Sequence, residues 1–218
     1  ELFAPSDVAV DGGRLYVADP GNRKIAVFDA ASGAIVGEWP NVGELHGIAA
    51  GAGKVFASEP AARRIRVFDP NGAPLGTWGD GGDVALSLSE PRGLDFRDGK
   101  LYIADTRATQ VVICDPAGRQ IDGFDSPSTN LEYDGPIDVA ADDDHFYFMT
   151  VRRLMVVRPG VGGAWDARPQ GPYIYGGFGL ALGPGAALSA TVQDGRAEVT
   201  GVLSFPDRAN LGVGPVSF

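Results

Sequence analysis

Two columns of residues keep one register along the chain, and they constrain the fold more than any other feature. Pro5, Leu45, Pro91 and Pro136 open successive units at spacings of 40, 46 and 45 residues, and Tyr16, Phe56, Tyr102 and Tyr147 recur at the same spacings. A fifth, weaker copy starts at Gly177, with Leu188 in the aromatic column 41 residues after Tyr147. Within the first unit Val8 and Val10 alternate with small or polar residues, and a Gly12-Gly13 turn follows. Leu15-Tyr-Val-Ala18 and Ile25-Ala-Val-Phe28 are two further short runs, separated by Asp19-Pro-Gly-Asn22. Short β-branched and aromatic runs between Gly, Pro, Asn and Asp predict an antiparallel meander. One meander cannot bury both faces, so it must pack against copies of itself. Four strands in a period of about 40–45 residues predict an all-β fold, a β-propeller of four-stranded antiparallel blades.

The same residues resemble the NHL repeat family. The first unit carries Pro5-Ser-Asp-Val-Ala, Leu15-Tyr-Val-Ala-Asp19 and Asn22-Arg-Lys-Ile-Ala-Val-Phe-Asp29. The second has His46-Gly-Ile-Ala, Val55-Phe-Ala-Ser-Glu59 and Arg63-Arg-Ile-Arg-Val-Phe-Asp69, and the third has Pro91-Arg-Gly-Leu-Asp95 and Leu101-Tyr-Ile-Ala-Asp105. The fourth keeps Pro136-Ile-Asp-Val-Ala140 and Phe146-Tyr-Phe148 but places Thr150 where the acidic residue stands. The resemblance implies a single propeller over residues 1–218, with repeats starting near 5, 45, 91, 136 and 177. Five innermost strands are countable, and such relatives usually have six blades. The chain is therefore a five-bladed ring, a six-bladed one with an irregular blade, or part of something longer. Closure is expected from Leu2-Phe3, added as a strand to the last blade.

The 218 residues carry a formal net charge of −10, which disfavours phosphate backbones and predicts no nucleic-acid partner. The Arg63-Arg64-x-Arg66 and Arg152-Arg153 spots read as a solvated rim. No run approaches the roughly 18 apolar residues of a membrane span. Pairs Asp19/Arg23 and Glu59/Arg63 are expected to be structural ion pairs. Cys114, the single cysteine, shares the column of Phe28 and Phe68 and is read as a buried, inert thiol. The two histidines, His46 and His145, fall in different units and columns, and no nucleophile constellation is present, so no catalytic residue is assigned.

Propellers place the residue before each innermost strand at one mouth of the central channel. Here that ring is Ser6, His46, Arg92, Ile137 and Phe178, with Asp7 and Asp138 one step deeper. A hydroxyl, an imidazole and a guanidinium beside apolar groups suit a small anionic or peptide group. The resemblance also covers metal-dependent lactonases and lyases, but Asp7 and Asp138 alone make a weak divalent-cation site, so no cofactor is assigned. The expected role is a non-catalytic binding or scaffold propeller with protein partners, as a subunit of a larger extracytoplasmic assembly; the alternative is a metal-dependent lactonase- or lyase-type enzyme with its site at the channel mouth. The habits of the family suggest a periplasmic or extracellular place, and the composition leaves a cytoplasmic one open.

Overall fold

In the computed structural model, residues 1–125, 135–142 and 145–150 are described throughout. Beyond them are the strands 154–159, 165–170, 177–183, 186–193 and 196–200, with side chains described to residue 157. Hairpin chemistry lays down the first blade. β1 (Asp7–Asp11) pairs antiparallel with β2 (Arg14–Asp19) through a two-residue turn in which Gly12 and Gly13 both have positive φ. Ala52-Gly53 and Asp98-Gly99 repeat that conformation in the next two units. Two left-handed residues match the twist of the flanking strands, which favours glycine there.

β3 (Lys24–Asp29) and β4 (Ile35–Pro40) complete the sheet in the order β1-β2-β3-β4. The second blade is β5 (Ile48–Gly51), β6 (Lys54–Glu59), β7 (Arg64–Phe68) and β8 (Pro74–Gly79). The third is β9 (Pro91–Arg97), β10 (Lys100–Asp105), β11 (Gln110–Cys114) and β12 (Gln120–Asp125). The fourth is β13 (Asp138–Ala141), β14 (Phe146–Met149), β15 (Leu154–Pro159) and β16 (Trp165–Gln170). β17 (Gly177–Gly183), β18 (Ala186–Gln193) and β19 (Arg196–Thr200) form a three-stranded sheet. The described residues thus hold four complete blades, not the five or six expected, because the fifth repeat contributes three described strands. The innermost strands β1, β5, β9, β13 and β17 lie side by side in chain order.

The core lies between blades. Tyr16, Ile25 and Trp39 of the first blade pack on Ile48, Val55 and Phe68 of the second. Phe56, Ile65 and Trp78 pack on Leu101, Ile103 and Cys114 of the third, and Tyr102 and Val111 pack on Phe146 and Phe148 of the fourth. Trp39 sits 5.6 Å from both Tyr16 and Phe68, while Phe56 lies 5.3 Å from Trp78 and 5.5 Å from Phe96. Each such aromatic contributes about 1.5–3 kcal/mol of burial. The tryptophans need a flat neighbour. A Cβ on Gly72 would lie 2.5 Å from Trp39 Nε1, and one on Gly118 would lie 2.7 Å from Trp78 Cδ2. Cys114 is fully buried in this packing, and burial pushes its thiol up to about 12.

The free face of the first blade differs. Val8 is 53% exposed, whereas its counterparts Ile48, Leu94 and Val139 are buried. Leu2-Phe3 is not a strand on the last blade. Phe3 N donates to Asp19 Oδ1 at 3.0 Å and Asn22 Nδ2 donates to Glu1 O at 3.1 Å, so the N-terminal residues satisfy a buried carboxylate of their own blade.

Candidate functional site at the lead-in face

One face of the molecule carries the loops leading into β1, β5, β9 and β13 together with the turns between second and third strands. Buried carboxylates at the ends of the second strands hold these loops. Asp19 accepts from Phe3 N, Glu59 from Gly43 N at 2.9 Å, and Asp105 from Ser89 N at 3.0 Å, each pair sixteen residues apart. Asp105 also accepts from Glu90 N at 2.6 Å and Gln110 Nε2 at 3.2 Å. In the fourth blade Thr150 holds this place, and the residue sixteen before it lies outside the described ones.

The expected ion pairs are reassigned. Glu59 pairs with Arg64 at 2.5 Å and Arg66 at 3.7 Å, not with Arg63, whose left-handed φ of 51° turns it out of the strand. Asp19 takes Asn22 Nδ2 at 2.7 Å, and Arg23 has the same left-handed backbone. Two arginines of the 63–66 spot therefore serve a buried carboxylate, where a solvated rim was expected; Arg152 and Arg153 lie outside the described residues. His145 is half-buried with its Nδ1 3.4 Å from Asp142 Oδ1.

The central channel is a cavity of about 260 Å³ lined by residues of β1, β5, β9 and β13, including Asp7, Asp95 and Asp138. Asp7 Oδ2 accepts from Ile48 N at 2.8 Å, and Asp95 Oδ2 accepts from Ala141 N at 2.6 Å, so each carboxylate ties its blade to the next. Burial pushes Asp7 up to about 6 against the pull of the Ile48 and Val8 N–H groups, with Asp95 adding to the rise. Burial also raises Asp95. Asp138 Oδ1 accepts from Val139 N at 2.9 Å. Among the described residues no three His, Cys, Asp or Glu side chains converge to hold a metal ion. In the channel Asp7 Oδ1 and Oδ2, Asp95 Oδ2 and Asp138 Oδ1 each accept a strand N–H.

The remaining mouth residues are dispersed. Ser6 Oγ donates to His46 O at 2.7 Å, joining the first two blades, as Ser58 Oγ to Arg92 O (2.6 Å) and Thr106 Oγ1 to Pro136 O (2.7 Å) join the later ones. Arg92 forks onto Glu90 Oε1 at 2.9 and 2.7 Å. Ile137 is buried, and Phe178 lies in β17 with its side chain outside the described residues. His46 instead lines a depression of about 450 Å³ between the second and third blades, with Glu44, Leu45, Pro60, Arg63, Glu90 and Arg107 among its walls. Burial, then the Arg92 charge, holds the His46 imidazolium down to about 4. Sequence reading missed Asp95 and Arg107. Asp95 stands where the other units have Ala9, Ala49 and Ala140, and that column break was its signal.

The fold is similar to virginiamycin B lyase from Staphylococcus aureus at 15% identity and a TM-score of 0.67, over 86% of this chain and 63% of that one. A nidogen/laminin complex matches at 16% identity and a TM-score of 0.69, over 90% and 75% of the two chains. Hydrazine synthase from Kuenenia stuttgartiensis matches at 13% and 0.61, over 98% and 67%. The chain thus spans less than two thirds of the length of virginiamycin B lyase. No family model and no curated protein matches it. At these identities the likeness is one of fold, and in fold the chain is a β-propeller.

Proposed function

We propose that the chain is a binding propeller of NHL-like repeats, acting as a scaffold for protein partners outside the cytoplasm, with the lead-in face as its recognition surface. One observation carries this reading. The buried acids Glu59 and Asp105 are spent on backbone N–H groups, and the loops they hold form the walls of a face depression. Such preorganised walls lower the ordering cost of binding. Native mass spectrometry of the protein from its source, without chelators, tests it. A metal-free chain retained with another polypeptide supports the scaffold, and a lone chain with one divalent ion sinks it.

The second reading is a lyase- or lactonase-type enzyme. It is favoured by Asp7, whose carboxyl near 6 in the channel suits proton transfer at neutral pH. The same spectrum separates the two, because that enzyme class requires a stoichiometric metal.

A further inference from the structure

We propose that the depression between the second and third blades receives a carboxylate side chain from an acidic, partly apolar peptide segment of a protein partner. This inference rests on the binding-propeller reading and names the chemistry of what is bound.

The cations come first. Arg63 lies at the end of the turn after β6 and Arg107 in the equivalent turn after β10, and both line the depression. Both are exposed, and neither side chain makes an ion pair or hydrogen bond among the described residues. That sets them apart from Arg64, Arg66, Arg92 and Arg119, which all pair with carboxylates. In a chain of net charge −10 this puts two guanidinium groups with no ion-pair partner among the described residues in one depression, and guanidinium is the group that forks onto a carboxylate.

The histidine is the second observation. His46 Nδ1 is the one buried side-chain nitrogen or oxygen without a hydrogen-bond partner among the described residues, and His46 lines the same depression. A buried polar atom left unpaired costs free energy that an arriving polar group recovers. The walls then choose among anions. Glu44 and Glu90 share the depression and oppose a doubly charged phosphate more than a single carboxylate. Leu45, Pro60 and Ala61 offer apolar contact to the aliphatic part of a neighbouring residue. The loops are held in place beforehand by Glu59 on Gly43 N and by Asp105 on Ser89 N and Glu90 N.

The full chain is titrated by isothermal calorimetry with an end-blocked peptide of alternating leucine and glutamate, its glutamine counterpart, and inorganic phosphate. The glutamate peptide is expected to bind, and the pair Arg63→Gln with Arg107→Gln weakens it at least tenfold. Arg119→Gln, on the opposite face and already paired with Asp115, leaves it unchanged. Both arginines are exposed, so the melting temperature of the double variant is expected to match the parent and shows that it folds. Equal affinity for the glutamine peptide, tighter binding of phosphate, no effect of the double variant, or no binding at all overturns the proposal. If the peptide fails while native spectra still retain a partner, only this inference falls; if spectra show a lone metal-bound chain, the scaffold reading falls instead.

Discussion

Two sets of buried carboxylates serve the same backbone and behave differently. Asp19, Glu59 and Asp105 sit beneath the lead-in loops, while Asp7 and Asp95 line the channel. Asp105 is fully buried and gathers Ser89 N, Glu90 N and Gln110 Nε2, partners brought to it by one blade. Asp7 takes Val8 N and Ile48 N, and burial still lifts its carboxyl to about 6. Donors compensate a buried charge only when they outweigh its lost hydration. The lead-in carboxylates fix loop positions within a blade, whereas the channel pair bolts neighbouring blades together at an electrostatic cost.

Asp105→Ala breaks the comparison hardest. It strands Ser89 N and Glu90 N in the interior and is expected to cost about 3–4 kcal/mol in urea unfolding. The same change at Asp7 is expected to cost far less, and equal losses would erase the distinction. The pH dependence sharpens it next. Folded Asp7 keeps its proton to about 6 rather than 3.8, so the native state binds the extra proton between those values. Stability from Asp7 therefore falls as pH rises through that window, by up to about 3 kcal/mol. His46 acts the other way. Its folded value near 4 lies below 6.5, so stability from His46 rises with pH across nearly the same range. In the parent these two contributions are expected to oppose each other from pH 4 to 6. His46→Gln then exposes a fall in stability and Asp7→Asn exposes a rise; parallel curves for both variants would defeat the assignment. At pH 8, Asp7→Asn is expected to gain about 1 kcal/mol, the smaller because one of the two accepted N–H groups loses its oxygen. Smallest of all, Cys114 is expected to react with a thiol reagent only at the rate of opening, a burial without charge or donor that native-state labelling checks.

Much of the architecture was legible because repeat columns report packing. The aromatic column from Tyr16 to Tyr147 proved buried throughout, and Cys114 in the column of Phe28 and Phe68 lies in the core. The site was less legible. Ser6, His46 and Arg92 share a column, yet Ser6 is spent on a blade junction, Arg92 on Glu90, and only His46 lines the depression. A column places a residue along its own blade and says nothing of what the next blade presents.

By itself the sequence determined the period, the strand alternation, the two-residue turns and the acidic residue closing each second strand in the first three units. These follow from local backbone preference and from the need of each meander to bury its faces. Tertiary structure alone decided that Glu59 pairs with Arg64 and Arg66, that Asp95 joins Asp7 in the channel, and that Arg63 and Arg107 line one depression across a blade junction. The physical reason is range. Strand and turn formation depends on neighbours a few residues away, whereas a channel or a pocket depends on which side chains a blade more than forty residues later brings within a few ångströms, and the Glu59 pairs depend on how the β6–β7 hairpin closes.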